Sequence, residues 1–163
     1  MNQACVAVAT CLYLSYIPAT LTASLKVAGT RRWTGAGLVG TLAGWALWYT
    51  LPASPAAYAA TVAALGLAAC WICGVAERAL GTHDDPRIVL DETVGFWFAV
   101  AFLPRGVKWL AAGFVLFRVF DAAKLPPYRW LERLPGGWGV VMDDVGAGVV
   151  ANLILQLVAH VWR

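Results

Sequence analysis

Residues 145–162 read VGAGVVANLILQLVAHVW, a run that carries no Asp, Glu, Lys or Arg. A helix needs about 20 largely apolar residues to cross about 30 Å of hydrocarbon, so this stretch predicts a membrane-spanning helix. Two aspartates, Asp143 and Asp144, stand directly before it. An acid beside a membrane-length run costs free energy unless a cation or hydrogen bonds compensate it. Working outward, the apolar runs 4–25, 34–51 and 56–76 predict further spans. The chain is therefore expected to be all-α, a polytopic integral membrane protein of about four full spans in one membrane domain, 1–163. One more apolar stretch, 94–120, is interrupted at Leu103-Pro104-Arg105-Gly106. It reads as a shallow hairpin, because Arg105 and Lys108 would be expensive at mid-bilayer.

The composition agrees: 61% of the 163 residues are hydrophobic, only 13% are charged, and the mean hydropathy is +0.69, outside the range of soluble domains. The net charge of +3 is small and its cations are interleaved with acids, so nucleic-acid binding is not indicated. No basic segment precedes the first apolar run, so a retained helix is expected there rather than a cleaved signal peptide. Cys5, Cys11, Cys70 and Cys73 lie inside apolar runs, where thiols act as small hydrophobes. Cys70 and Cys73 have redox spacing, but no βαβ pattern surrounds them. Gly37, Gly40 and Gly44 fall at helical spacing and leave a flat face for a packed neighbour. Trp33, Trp48, Trp97, Trp109, Trp130, Trp138 and Trp162 sit near span ends, as expected for rings in the headgroup zone.

Orientation follows from the cations. Segments 26–33, 77–93 and 118–139 fall on one side and hold Lys26, Arg31, Arg32, Arg78, Arg87, Arg118, Lys124, Arg129 and Arg133, against twelve Lys and Arg in the whole chain. The positive-inside rule makes that side cytoplasmic.

Polar chemistry concentrates on the same side. In the first loop, Asp84, Asp85, Asp91 and Glu92 repel one another within nine residues, and a hard divalent cation is the cheapest relief. The alternative is a solvated acidic loop whose acids complement a helix start. Arg118, Asp121 and Lys124 are spaced three apart and would share a helical face, as a phosphate clamp or as an ion-pair ladder. Gly136, Gly137 and Gly139 predict a loop that lets backbone N–H groups approach an anion, after which Asp143 and Asp144 open the last helix. The chain has no Asp-x-Asp nucleophile, no Cys-x5-Arg loop, and only His83 and His160. Activated water or a carboxylate nucleophile remains for phosphoryl chemistry.

Together these motifs resemble the bacterial phosphatidylglycerophosphatase A family from about residue 25 to 160. The resemblance is carried by Asp84 or Asp85 followed by Ile88-Val89-Leu90-Asp91-Glu92-Thr93-Val94-Gly95; by Phe117, Arg118, Asp121 and Lys124; and by Gly136, Gly137, Gly139, Met142, Asp143, Asp144, Ala147 and Gly148. Lys124 departs from the family pattern, being followed by Leu125-Pro126-Pro127, and the N-terminal glycine-threonine motif is only echoed, at Ala28-Gly29-Thr30 or Gly37 to Thr41.

The resemblance implies Mg²⁺-dependent dephosphorylation of phosphatidylglycerophosphate to phosphatidylglycerol at the cytoplasmic face of the bacterial inner membrane. It implies Asp84, Asp91, Glu92, Asp143 and Asp144 as metal ligands, with Glu77 nearby. Asp91, Glu92, Asp121, Asp143 and Asp144 form the expected catalytic set, and Arg118, Lys124 and Arg129 the expected phosphate clamp. A lipid phosphatase of another substrate and a divalent-cation transporter are the rivals. Cations beside the acids would repel a transporter's cargo.

Overall fold

The computed structural model describes residues 2–24, 35–82 and 85–161, without the side chains of residues 22–24, 127 and 129. Among these residues the regular secondary structure is all helical: α1 (Asn2–Ala9), α2 (Tyr16–Ser24), α3 (Ala36–Trp48), α4 (Pro55–Leu80), α5 (Leu90–Ala99), α6 (Val107–Ala123), α7 (Pro126–Arg129), a 3₁₀ turn at Leu131–Arg133, and α8 (Gly137–Val161). α4 has Pro55 in its first turn, where the missing N–H costs nothing, and stops at Gly81 in the left-handed conformation.

Two described helices, not four, are long and apolar enough to cross a membrane: α4 and α8. The expected span 4–25 fails because its backbone turns. Cys11, Leu12 and Tyr13 all have positive φ, 48°, 56° and 66°. Hydroxyls compete there with the helix ladder: Thr10 Oγ1 donates to Val6 O and accepts from Tyr13 N, and Ser15 Oγ donates to Arg87 O. The run 34–51 yields only α3, whose 13 residues reach about 20 Å at 1.5 Å per residue. The stretch 94–120 divides into α5 and α6, which pack on each other across a turn at 100–106.

α5 is the centre of the molecule, packed against α8 and also touching α3, α4 and α6. It buries Phe96 and Trp97. Trp48 and Trp97 are therefore core residues rather than headgroup anchors, and the Trp97 indole donates to Gly44 O at 2.9 Å. Trp130 and Trp138 are exposed as expected, and Trp33 and Trp162 lie outside the described residues. The outward faces are apolar: Leu65, Leu67 and Trp71 on α4, Val115 and Val119 on α6, and Leu153 and Leu157 on α8 are all exposed. All four cysteines are free.

Candidate active site

The site exists because α5 and α8 cross closely while running in the same direction. A side-chain carbon on Gly95 would lie 2.7 Å from the Phe117 ring and 2.8 Å from the carbonyl oxygen of Asp144, and one on Gly148 would run into the carbonyl oxygen of Gly95. Residues four apart share a helix face. Asp91 stands four before Gly95 and Asp144 four before Gly148, so the crossing brings the two acids together. Asp91, Glu92 and Asp144 each offer a carboxylate oxygen within 4.8 Å of the others.

Asp91 and Asp144 are buried, and Glu92 keeps 15% of its side chain exposed. Asp91 Oδ1, Glu92 Oε2 and Asp144 Oδ2 have no hydrogen-bond donor among the described residues. Buried anionic oxygens without donors are costly. Three carboxylates that each bring an oxygen within 4.8 Å of the others form the donor set of a hard cation, and the residues present therefore fit a divalent ion.

The cations stand on the adjoining helix end. Arg118 Nη1 lies 2.8 Å from Asp121 Oδ2 and 3.9 Å from Glu92 Oε1. It faces Asp121 without a directed hydrogen bond, an ion pair held by charge alone. Lys124 does not continue the face of Arg118 and Asp121. It ends α6 in the left-handed conformation, φ 41°, and its ammonium reaches Asp143 Oδ2 at 2.9 Å and Glu132 Oε1 at 3.6 Å. Tyr128 is buried under this turn and its hydroxyl donates to Phe120 O.

Asp143 is thus held by Lys124 beside the trio rather than within it. Neither aspartate opens α8: the helix starts at Gly137, so Asp143 and Asp144 lie almost two turns inside, beyond the favourable end of its dipole. The expected anion-binding glycine loop is also a different structure. Gly137 and Gly139 belong to α8 and pack against the backbones of Cys70, Gly74, Glu132 and Leu134, and only Gly136 has positive φ. Glu77 is buried on α4.

Of the first-loop acids, Asp85 is committed elsewhere. Arg87 donates to it from Nε at 2.8 Å, from Nη2 at 2.6 Å and from its backbone N–H at 3.0 Å. Burial alone would raise the Asp85 carboxyl, but these bonds outweigh it and hold the group below its ordinary range. Asp84 lies outside the described residues. Arg129 closes α7, and its side chain lies outside them as well.

Sequence reasoning did not assign Gly37 to the site. The structure sets the first turn of α3 against Glu92 and Arg118 at that residue. Two signals were available, the Gly37, Gly40, Gly44 stripe, legible as packing but silent about what it packs on, and the echo of the family's N-terminal motif at Gly37 to Thr41, which carried no role. Asn152 and Gln156 were also missed, although polar amides within 145–162 stand out; they donate to the carbonyls of Ala99 and Ala101 at the far end of α5.

An all-helical chain that gathers buried acids against an arginine and a lysine has the parts of a phosphoric monoester hydrolase: acids for the reaction, cations for the phosphate. Comparison with known proteins narrows that class. The family model for phosphatidylglycerophosphatase A matches residues 7–159, and the chain belongs to this family. The phosphatidylglycerophosphatase A of Escherichia coli (strain K12) is 37% identical over 129 residues, 77% of this chain and 75% of that one. That of Haemophilus influenzae is 35% identical over 96 residues, 58% of this chain and 59% of the relative. A Bacteroides thetaiotaomicron protein provisionally named phosphatidylinositol-3-phosphatase is 34% identical over 129 residues, 76% of this chain and 80% of its own length. No solved structure matches the chain.

Proposed function

We propose that the protein removes the terminal phosphate of phosphatidylglycerophosphate, with Mg²⁺ as cofactor, at the cytoplasmic face of the bacterial inner membrane. The observation that carries this reading is the trio Asp91, Glu92 and Asp144: each brings a carboxylate oxygen within 4.8 Å of the others, each keeps a buried oxygen without a donor among the described residues, and Arg118 Nη1 stands 3.9 Å from Glu92 Oε1. These three acids would hold the ion, with Asp84 and Glu77 close in sequence to it and Asp143 at its edge. A bound Mg²⁺ supplies Lewis-acid polarisation of a phosphoryl oxygen and a water of lowered pKa.

The chain's own groups do the rest. Arg118 offers a two-pronged grip on phosphate oxygens, and Asp121, 2.8 Å away, fixes the guanidinium. Lys124, held by Asp143 and Glu132, adds a point charge, and Arg129 at the end of α7 is the third cation of the clamp. Concentrated positive charge stabilises the phosphoryl group as negative charge develops on it. In the balanced reaction a water oxygen replaces the glycerol oxygen on phosphorus, and the water's proton passes to the departing alkoxide.

The membrane supports the choice of substrate. α4 and α8 match the bilayer in length, and their outward residues are apolar. Arg87, Arg118, Lys124 and Arg133 lie at the carboxylate end, which the positive-inside rule assigns to the cytoplasm. Cysteines introduced as Arg87→Cys and Arg133→Cys, in a chain lacking the native thiols, should react with an impermeant reagent only when the cytoplasmic side is open. Labelling in intact cells reverses the orientation.

The Bacteroides relative favours a second reading, a phosphomonoester on another lipid headgroup, because the proposed clamp would recognise phosphate and no particular alcohol. Phosphate release by the purified protein from a panel of lipid phosphates separates the two. Phosphatidylglycerophosphate should be the best substrate, turnover should vanish in EDTA, and added Mg²⁺ should restore it. Full turnover in excess EDTA overturns the cofactor, and preference for a phosphoinositide overturns the substrate.

A further inference from the structure

Gly37, Gly40 and Gly44 lie on one face of α3, and that face is pressed on α5. Two of the three are explained by backbone contact. A side-chain carbon on Gly40 would strike the carbonyl oxygen of Val89 and lie 2.9 Å from the Val89 Cβ; one on Gly44 would lie 3.0 Å from the Thr93 carbonyl oxygen and 3.2 Å from the Phe96 ring. Both glycines also accept hydrogen bonds from α5, Gly40 O from Thr93 Oγ1 at 2.8 Å and Gly44 O from Trp97 Nε1 at 2.9 Å.

Gly37 differs. The three atoms nearest to its missing side chain all belong to side chains rather than backbone. A side-chain carbon there would run into Glu92 Oε1 and lie 2.8 Å and 3.0 Å from Arg118 Nη1 and Nη2. Nor does its own conformation call for glycine, since it sits in the first turn of a regular helix with no positive φ. A helical glycine is less stable than alanine, so this position gives up helix stability for the space that two charged groups occupy.

We propose that Gly37 is a positioning residue for the phosphatase reaction: its bare backbone is the wall that sets the poses of Glu92 and Arg118. The inference rests on the reading of Glu92 as a metal ligand and Arg118 as a phosphate clamp. Glu92 Oε1 and Arg118 Nη1, 3.9 Å apart, share the space beside Gly37. A methyl group there displaces the ends of two flexible side chains, leaves the fold intact and disturbs both the ion site and the clamp. A methyl on Gly40 meets a main-chain oxygen that cannot swing away, and pushes α3 off α5.

The test is Gly37→Ala beside Gly40→Ala, each measured for thermal stability in EDTA, for the rise in Tm with added Mg²⁺, and for phosphate release. Gly37→Ala should unfold at the wild-type temperature or above it in EDTA, need at least tenfold more Mg²⁺ for its Tm rise, and lose at least tenfold in kcat. Gly40→Ala should lose Tm in EDTA. Shortening the displaced carboxylate supplies a readout that a merely structural glycine would not move: in a Glu92→Asp background, Gly37→Ala should cost less than threefold. Wild-type Mg²⁺ response and turnover in Gly37→Ala overturn the proposal, as does a Tm loss equal to that of Gly40→Ala, or an undiminished tenfold cost in the Glu92→Asp background. A wild-type protein with no lipid phosphatase activity overturns the functional reading instead, and the Mg²⁺ response then still decides for or against the positioning role.

Discussion

At the C-terminal end of α5, buried polar groups are met by partners built for them. Asn152 donates to Ala99 O and Ala101 O, Gln156 donates to Ala101 O, and the Tyr58 hydroxyl donates to Trp97 O at 2.7 Å. Arg105 donates to the carbonyls of Leu51 and Pro52, and its guanidinium lies over the Trp48 ring, 4.7 Å from the centroid. The Trp48 indole N–H is the one buried side-chain donor at that end with no hydrogen-bond partner among the described residues. At the N-terminal end of the same helix, Asp91, Glu92 and Asp144 keep buried oxygens without donors among the described residues. A helix that stops inside an apolar layer must have its freed carbonyls satisfied, and the far end obeys that rule. The near end breaks it with charge, and a cost of that kind persists in a fold only where the groups are used.

The contrast fails most visibly if the acids prove structural. Asp91→Asn or Asp144→Asn keeps size and removes charge, and should lower the rate of phosphate release by about 100-fold or more. In EDTA the same variants should melt about 2 °C or more above wild type, because repulsion between buried carboxylates is relieved. A lower Tm with undiminished turnover would mean that the near end is a satisfied core like the far one.

Arg118→Lys is the next largest. The charge remains, but the two-pronged grip on phosphate is lost. One charge-assisted hydrogen bond is worth about 1.5 to 3 kcal/mol, so the rate should fall by about one to two orders of magnitude while Mg²⁺ affinity stays near wild type. A silent Arg118→Lys, with cation uptake into liposomes and no phosphate released, would replace the clamp with an ion path.

Substitution at the far end should show the reverse pattern. Asn152→Leu leaves the Ala99 carbonyl without its donor, at a cost of about 1 to 3 kcal/mol in stability. Turnover per folded molecule should be unchanged. Lost activity at full stability would show that the far end also serves the reaction.

The smallest effect is expected in the loop joining α4 to α5. The Asp85 carboxyl is held below its ordinary range by Arg87, so the pair contributes stability above the unfolded pKa of about 3.9 and loses it as pH falls through the lower folded value. Asp85→Asn should therefore cost about 1 kcal/mol or less at pH 7, and the difference from wild type should shrink below about pH 4. A gap that persists in acid would mean that Asp85 acts through packing rather than charge.

The amino-acid sequence alone determined that the chain is helical, that α4 and α8 are long and apolar, and that acids and cations gather in motifs of the phosphatidylglycerophosphatase A family. These are local or compositional properties: apolar run length, residue spacing and the identity of charged side chains. It overstated the spans because run length does not register where a hydroxyl turns the chain, as Thr10 and Ser15 do around the left-handed Cys11 to Tyr13. Tertiary structure decided which acids meet. Asp143 and Asp144 are neighbours in sequence, yet a helix turns by about 100° per residue, so Asp144 joins Asp91 and Glu92 while Asp143 meets Lys124. Only the crossing at Gly95 and Gly148 selects between them, and only the seating of α3 turns Gly37 from a packing residue into the wall beside Glu92 and Arg118. Contacts between residues so far apart in the chain depend on how whole helices pack, which no local pattern encodes.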